Sequence, residues 1–315
     1  MTLHSEPFNA EIVDPLAGQK PVSLLRDTLR NILRQRSAIV GLTVLAFLVL
    51  VAIFASVIAP FDPTQTLLGI EDTAKPRLAP CIHLLGCPVN QPEHLMGLDG
   101  NARDVFSRVV FGSRVSLQIG FLTVGFAIIL GTIIGSIAGF FGSRVDNLLM
   151  RLMDVLLAFP ALLLAIAIVT VLGPGLINAQ LAIGIVGIPV YARVMRASVL
   201  SIRGQDFIAA SRALGESSGG ILLRRIVPNA LTPLIVQGTL GIAGAIIDVA
   251  ALSFLGLGAQ PPMAEWGSMI GDERNAVFSA PHLILVPGIA IILTCLSFNL
   301  LGDGLRDALD PRLNR

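Results

Sequence analysis

Residues 155–192 read VLLAFPALLLAIAIVTVLGPGLINAQLAIGIVGIPVYA, thirty-eight positions without a charge. A bilayer crossing takes about 20 apolar residues. In lipid only a helix satisfies its own backbone hydrogen bonds, so this run holds two helices. The turn signal Leu172-Gly173-Pro174-Gly175 divides them. Working outward, residues 37–61 and 115–143 are also uncharged. So are residues 226–247, and past Asp248 the run continues to Ala264. Residues 275–302 carry only His282. The spacing predicts six helices, over 38–59, 115–139, 151–172, 177–196, 231–257 and 282–301.

Composition agrees. Of 315 residues 54% are hydrophobic and 14% charged, with a mean hydropathy of +0.79. Soluble domains average about 25% charged residues, so this is an all-α integral membrane chain. A net charge of +1 gives no nucleic-acid field. Four histidines and three cysteines are too few for a metal-rich or disulfide-rich scaffold. The lysines are Lys20 and Lys75, and neither follows a glycine, so no P-loop is present to cradle ATP.

Basic residues set the orientation. Six crossings leave both termini on one side, and that side receives 16 of the 22 Lys and Arg residues. Both termini are therefore expected to be cytoplasmic. The expected organisation is a cytoplasmic segment 1–36, a first transmembrane helix 37–60 acting as an uncleaved signal anchor, and an extracytoplasmic loop 61–114. A core 115–302 follows, with a cytoplasmic loop 197–230, and then a cytoplasmic tail 303–315. No internal repeat of the kind found in inverted-repeat carriers stands out.

The loop 205–229 is the most informative segment: QDFIAASRALGESSGGILLRRIVPN. Asp206 is placed to cap a short helix built on Ala209, Ala210, Ala213 and Leu214. Gly215 suits its close, where a left-handed residue is wanted. A second short helix over 218–226 is expected to stop before Pro228. Read without further context, this is a basic cytoplasmic loop of two short helices meeting at a glycine.

This segment resembles the cytoplasmic "EAA" loop of ABC importer permeases. Its pattern is Glu-Ala-Ala, three residues, Gly, nine residues, then Ile-x-Leu-Pro. Aligned on Gly215, Pro228 falls in place, and Ala210 and Ser211 stand for the two alanines. Ala209 replaces the glutamate and Arg225 the isoleucine. Other motifs resemble the second ("C") subunit of the dipeptide and oligopeptide importers. They are Gly97-Leu98-Asp99-Gly100-Asn101-Ala102-Arg103-Asp104-Val105-Phe106-Ser107-Arg108, with Ala102 for a glycine, and the run from Ser253 to Pro262. Glu265-Trp266-Gly267 follows, with Ala264 for a proline, and then Asn299 to Pro311. The resemblance covers nearly everything from residue 37.

The resemblance implies a type I ABC importer permease fold in a bacterial inner membrane. It also implies a heterodimer with a homologous permease, two ABC ATPases that hold ATP and Mg, and an extracytoplasmic solute-binding protein, with no cofactor in this chain. The loop 205–228, including Glu216, Arg225 and Pro228, would couple the ATPases to alternating access. The same subfamily takes glutathione, nickel chelates and peptide-like antibiotics. An ATP-independent carrier is the reading outside this class. No paired carboxylates, Ser/His/Asp set or metal cluster at membrane depth suggests an enzyme.

Several residues carry two readings each. Asp248, flanked by Ile246, Ile247, Val249 and Ala250, either lines the translocation path or meets the partner permease, since a carboxylate in a membrane needs water, a partner or a proton. Arg103, Asp104 and Arg108 form either an ion-pair cluster near an outer gate or a substrate contact. Trp266 is an interfacial anchor or, with Glu265, a contact for the binding protein. His282 is expected at the interface. Cys81 and Cys87 allow a disulfide in an oxidising compartment, and Cys295 is expected to be a buried free thiol.

Overall fold

The helices follow from the uncharged runs, but they do not stop where the charges begin. The computed structural model describes residues 35–88 and 91–309. The expectations for the cytoplasmic segment 1–36 and the tail 303–315 therefore fall, over 1–34 and 310–315, outside the described residues. Helix α1 is Arg36–Ile53, followed by a single turn, Ala55–Ile58. Helix α2 is Val105–Phe141, α3 Ser143–Leu157, α4 Ala161–Leu172 and α5 Leu176–Arg203. Helix α6 is the short Asp206–Ala213. Helix α7 runs Ser218–Phe254, α8 is Trp266–Asp272 and α9 is His282–Leu309. Among the described residues there is no strand, only isolated bridges at Cys81–His94 and Leu98–Asp104.

Helices α1, α2, α5, α7 and α9 are each long and apolar enough to cross a membrane. The remaining crossing differs from the single helix expected over 151–172. It is α3 and α4 joined at a 90° bend. Pro160 supplies no amide and biases Phe159 away from helical geometry, so the chain breaks there. The 12 residues of α4 extend only ~18 Å, short of the ~30 Å hydrocarbon core, and only together with α3 is the pair long and apolar enough for one span.

Helix α2 begins at Val105 rather than near residue 115. Asp104 caps it, its carboxylate accepting the Ser107 N–H at 2.7 Å. At 37 residues it is ~55 Å long and projects beyond the bilayer. The second correction concerns α7. The expected stop before Pro228 is absent, because a π-helical stretch, Ile221–Ile226, leads into the rest of the helix. Its wider turn makes room for a proline ring that would collide with the preceding turn of a regular α-helix.

Helix α2 packs most closely on α5. Gly131, Gly135 and Gly139, one turn apart, bring the α2 backbone onto Tyr191, Ala192, Met195 and Val199. A Cβ on Gly131 would lie 2.6 Å from that of Tyr191, and one on Gly135 would run into the Ala192 carbonyl. Such small-residue seams let membrane helices approach without a water-driven hydrophobic force. Outward on the long helices, Phe47, Ile129, Ile133, Leu163 and Ile292 stay exposed, as lipid or a protein partner requires.

The two long non-membrane segments, residues 61–104 and 258–281, pack together at one end of the bundle, which we call the crown. Leu67, Leu98 and Ala102 form one apolar cluster there. Val105, Trp266, Met269, Ala276, Ala280 and Leu283 form another. The loop 204–217 lies at the opposite end, where Arg203 donates to the Gly139 and Phe140 carbonyls at the end of α2. Gln35 and Asp307 meet at that loop end too, 3.1 Å apart.

Gly135→Val should lower folded stability by about 1–3 kcal/mol through overpacking of the α2–α5 seam. Gly125→Ala, at a position with nothing within 4 Å of an added Cβ, should be near neutral. Thermal melting of the detergent-solubilised chain checks the pair, and equal melting points would contradict the close backbone approach.

Candidate functional site

Three regions carry polar chemistry: the loop end, the middle of the bundle and the crown. At the loop end, α6 closes as expected at a left-handed Gly215, whose φ is +79°. The Glu216 N–H bonds back to the Ser211 carbonyl at 3.1 Å and the Gly215 N–H to that of Arg212 at 3.0 Å. This is a Schellman closure. Asp206 is not the cap it was expected to be. Gln205 holds that position without a side-chain bond, and Asp206 sits in the first turn, where its charge suits the helix dipole. Ser217 caps the next turn, accepting the Gly220 N–H at 3.2 Å.

Ile208 is fully buried and anchors α6 to the bundle. Ala209, Ala210, Ala213, Leu214, Gly215, Arg225 and Pro228 are exposed, while Ser211 and Glu216 are half-buried. Leu214 is 88% exposed and Leu223 68%. Apolar side chains presented this far into water mark a contact surface. Arg225, which departs from the family pattern, reaches back across the glycine turn to Glu216 at 3.2 Å.

In the middle of the bundle, a cavity of about 240 Å³ is lined by α2, α5, α7 and the α3–α4 bend. On α7 it is opened by Gly241, Gly244 and Ala245, with Asp248 on the same face. Asp248 is half-buried and makes no hydrogen bond or ion pair among the described residues. A second cavity, of about 900 Å³, lies nearer the crown, where Met263 forms part of its wall. Its polar lining is Gln118, Thr123, Asn178 and Gln180. Thr123 borders both cavities.

The crown is held by buried charges. The Asp99 carboxylate accepts from Arg103 Nε at 2.7 Å and lies 3.4 Å from Arg108 Nε. Arg108, 1% exposed, also donates to the carbonyls of Pro63 and Pro262, so one guanidinium ties both crown segments to α2. Arg77 pairs with Glu273 at 2.8 Å, and Glu273 also accepts the Gly100 N–H at 2.6 Å. Asp104 does not join the arginines. It faces His94 at 3.2 Å, whose other ring nitrogen lies 3.1 Å from Glu71. Burial opposes charge on His94, but the Asp104 and Glu71 carboxylates outweigh it and hold its pKa above the ordinary value. Burial pushes the Asp272 carboxyl up, against the pull of Arg103 and Arg108.

Trp266 and Glu265 are not surface contacts. Each is 1% exposed. Trp266 fills the notch left by Gly112, and its Nε1–H donates to the Val109 carbonyl at 3.0 Å. Glu265 caps α8, accepting the Gly267 and Ser268 N–H groups at 2.8 Å each. Burial raises its carboxyl pKa against those two bonds. The anchoring role and the binding-protein contact expected of these residues therefore do not fall to them. Cys81 and Cys87 are joined in a disulfide with their Cα atoms 5.4 Å apart, and Cys295 is a buried free thiol. His282 is half-buried against the crown rather than on an open interface, near Gly97.

Sequence reasoning missed His94, Glu71, Arg77, Asp272 and Glu273. Asp99 stood inside the motif that begins at Gly97, and that was the available signal. The others are lone charges in polar segments, and only the packing of one segment on the other gives them partners.

Membrane-length helices, a helix–glycine–helix loop at one end and cavities along the bundle define the class, a permease subunit of an ABC-type importer. Residues 131–315 match the binding-protein-dependent transport system inner membrane component family, and residues 23–80 match the N-terminal transmembrane domain of oligopeptide transport permease C. The chain belongs to the binding-protein-dependent transport system inner membrane component family. It is 46% identical over 292 residues to a dipeptide transport system permease protein of Alkalihalophilus pseudofirmus, covering 93% of this chain and 91% of the relative. It is 43% identical over 284 residues to a glutathione transport system permease protein of Escherichia coli, covering 90% and 89%. The inward-facing MetNI methionine ABC transporter shares its fold, with a TM-score of 0.53 and 18% identity over 65% of this chain and 98% of that one.

His94 gives a prediction with a definite sign. Its raised pKa means that its stabilising contribution is complete below the ordinary value of about 6.5 and is lost as pH rises through the folded value. Between about pH 6 and 9 the melting point of the solubilised protein should fall more for wild type than for His94→Gln. Parallel pH profiles would show that the Asp104–His94–Glu71 bridge does not hold the crown.

Proposed function

We propose that this chain is the second permease subunit of a peptide importer, paired with a homologous but different permease and standing on two ABC ATPases. ATP and Mg are held by those ATPases, and an extracytoplasmic solute-binding protein delivers the substrate to the crown. The observation that carries the reading is the loop end. Leu214, at the Schellman-closed end of α6, and Leu223, in the first turns of α7, are both presented outward on either side of a glycine pivot. The absence of a P-loop in the sequence leaves energy to come from another protein. In this reading the loop end and both termini are cytoplasmic, in agreement with the excess of basic residues there, and the membrane is the bacterial inner membrane.

Closure of the ATPases would push on Phe207–Glu216, and the α2–α5 pair would pass that movement toward the crown. An importer of this kind needs two packings that ATP and substrate favour unequally. The substrates favoured are dipeptides and oligopeptides, by the kinship with the dipeptide permease and the match to the oligopeptide permease C domain. Glutathione, itself a tripeptide, is the second reading, supported by the 43% identical relative.

Gentle-detergent isolation of the tagged chain from its native membrane, with mass spectrometry, should recover a second permease and two P-loop ATPases. Recovery of the chain alone, still moving solute in liposomes without ATP, would replace this reading with that of a carrier. Excess unlabelled dialanine or glutathione, added against labelled dipeptide, separates the two substrate readings.

The pivot has its own test. Any other L-residue at Gly215 must adopt a left-handed backbone, at a cost of about 1–2 kcal/mol. Gly215→Val should therefore leave the chain in the membrane and the ATPases active while cutting uptake about tenfold or more. Uptake at the wild-type rate would remove the coupling role from this loop.

A further inference from the structure

The cavity at the α3–α4 bend combines features that the rest of the bundle keeps apart. Asp248 is the only acidic residue between positions 217 and 264. The chain's single tyrosine, Tyr191, lines the same cavity, as does Phe159 at the bend. Among the described residues no basic side chain lines it. Tyr191 is fixed there by its hydroxyl lying over Gly241, where any side chain would collide with it. Positions 241, 244, 245 and 248 share one face of α7, and the three small residues clear the space in front of the carboxylate.

A carboxylate at membrane depth is retained where it meets water, a partner or a cation. Aromatic rings beside it add attraction for a cation through their faces. A carboxylate, two aromatic rings and a wall that is otherwise apolar except for the Thr123 hydroxyl select an alkylammonium group over an anion or a neutral solute. The larger cavity, reached past Thr123, is lined by the uncharged amides of Gln118, Asn178 and Gln180. Those can hydrogen-bond peptide groups without regard to charge.

We propose that the Asp248 cavity is the station on the translocation path that takes the protonated amino end of the substrate, while the larger cavity holds the amide-bearing remainder. The proposal rests on the peptide reading above and adds to it a named polarity and a named residue. Asp248 acts as a specificity-determining residue for a free amino terminus.

The test separates the site from the substrate. Gly244 lines the cavity and has nothing within 4 Å of an added Cβ, so Gly244→Cys introduces a small thiol there. Cys81 and Cys87 are already paired and Cys295 is buried, so the new thiol is the accessible one of this chain, and labelling is read on this chain after separation of the subunits. In membrane vesicles bearing the complete transporter, a trimethylammonium-bearing thiosulfonate should modify it about tenfold faster than a sulfonate-bearing one. Adding Asp248→Asn should abolish that preference, and Asp248→Glu should keep it.

In the native background Asp248→Asn should lower dialanine uptake about tenfold, and Asp248→Glu should recover part of it. Equal modification by the two reagents would overturn the cation site, whatever the transporter carries. A cation preference with dialanine uptake unchanged in Asp248→Asn would overturn the role of the site in handling the amino end. A cation preference in the Gly244→Cys transporter, with no dialanine uptake by the wild type, would instead overturn the peptide reading and assign the site to another cation.

Discussion

The seam between α2 and α5 sets the distances on which the other contacts depend. Three glycines spaced one turn apart bring two helix backbones together over the last third of α2. Lipid tails are as apolar as leucine, so the membrane supplies no hydrophobic force to hold helices together. Close packing and internal hydrogen bonds must do it. The seam keeps Tyr191 against Gly241 of α7, and through it the width of the Asp248 cavity. At its loop end, Arg203 of α5 caps the last carbonyls of α2. At its crown end, the capped start of α2 carries Arg108 and therefore both crown segments.

The crown uses the opposite physics. Its segments are polar, short of regular structure and unable to build a large apolar core. Buried arginines and carboxylates fix them instead. Such pairs carry a large desolvation cost, and their net contribution to stability is small. What they confer is position: Asp99 turns Arg103 and Arg108 toward one carboxylate, and Glu273 binds both Arg77 and the Gly100 amide. A movement of residues 258–281 relative to 61–104 would strand these charges without partners. The crown is thus built to move as a unit with α2, not to flex internally.

What the sequence made legible follows from this division. The uncharged runs reported the membrane crossings, because an unpaired charge in hydrocarbon is costly and therefore rare, Asp248 being the exception. They did not report helix ends, since α2 owes its start to Asp104 and the ion pairs beyond the bilayer. Phe159-Pro160 lies inside an apolar run, and hydropathy is blind to a bend between two equally greasy halves. Pro228 was a reasonable stop signal, and only the π stretch before it lets the helix pass. Gly215 was legible because its left-handed conformation is a local demand. Trp266 and His94 were not, because Gly112 in one case and Glu71 with Asp104 in the other come from distant parts of the chain.

The bend at Pro160 is where these constraints meet. A straight helix over 151–172 would lay apolar side chains across the face that now opens onto Asp248. Breaking it turns α3 so that its polar side faces α5, where Asp146 pairs with Arg196 and Asp154 with Arg193. Residues Leu156, Leu157, Phe159 and Ala161 are left around the cavity. The ion pairs therefore fix α3 to the same helix whose glycine seam fixes α2. Any rotation of α5 about that seam carries α3 with it and changes what the bend presents to Asp248. A push on the loop that follows α5 is in this way connected to the cavity through two rigid attachments, without a flexible link between them.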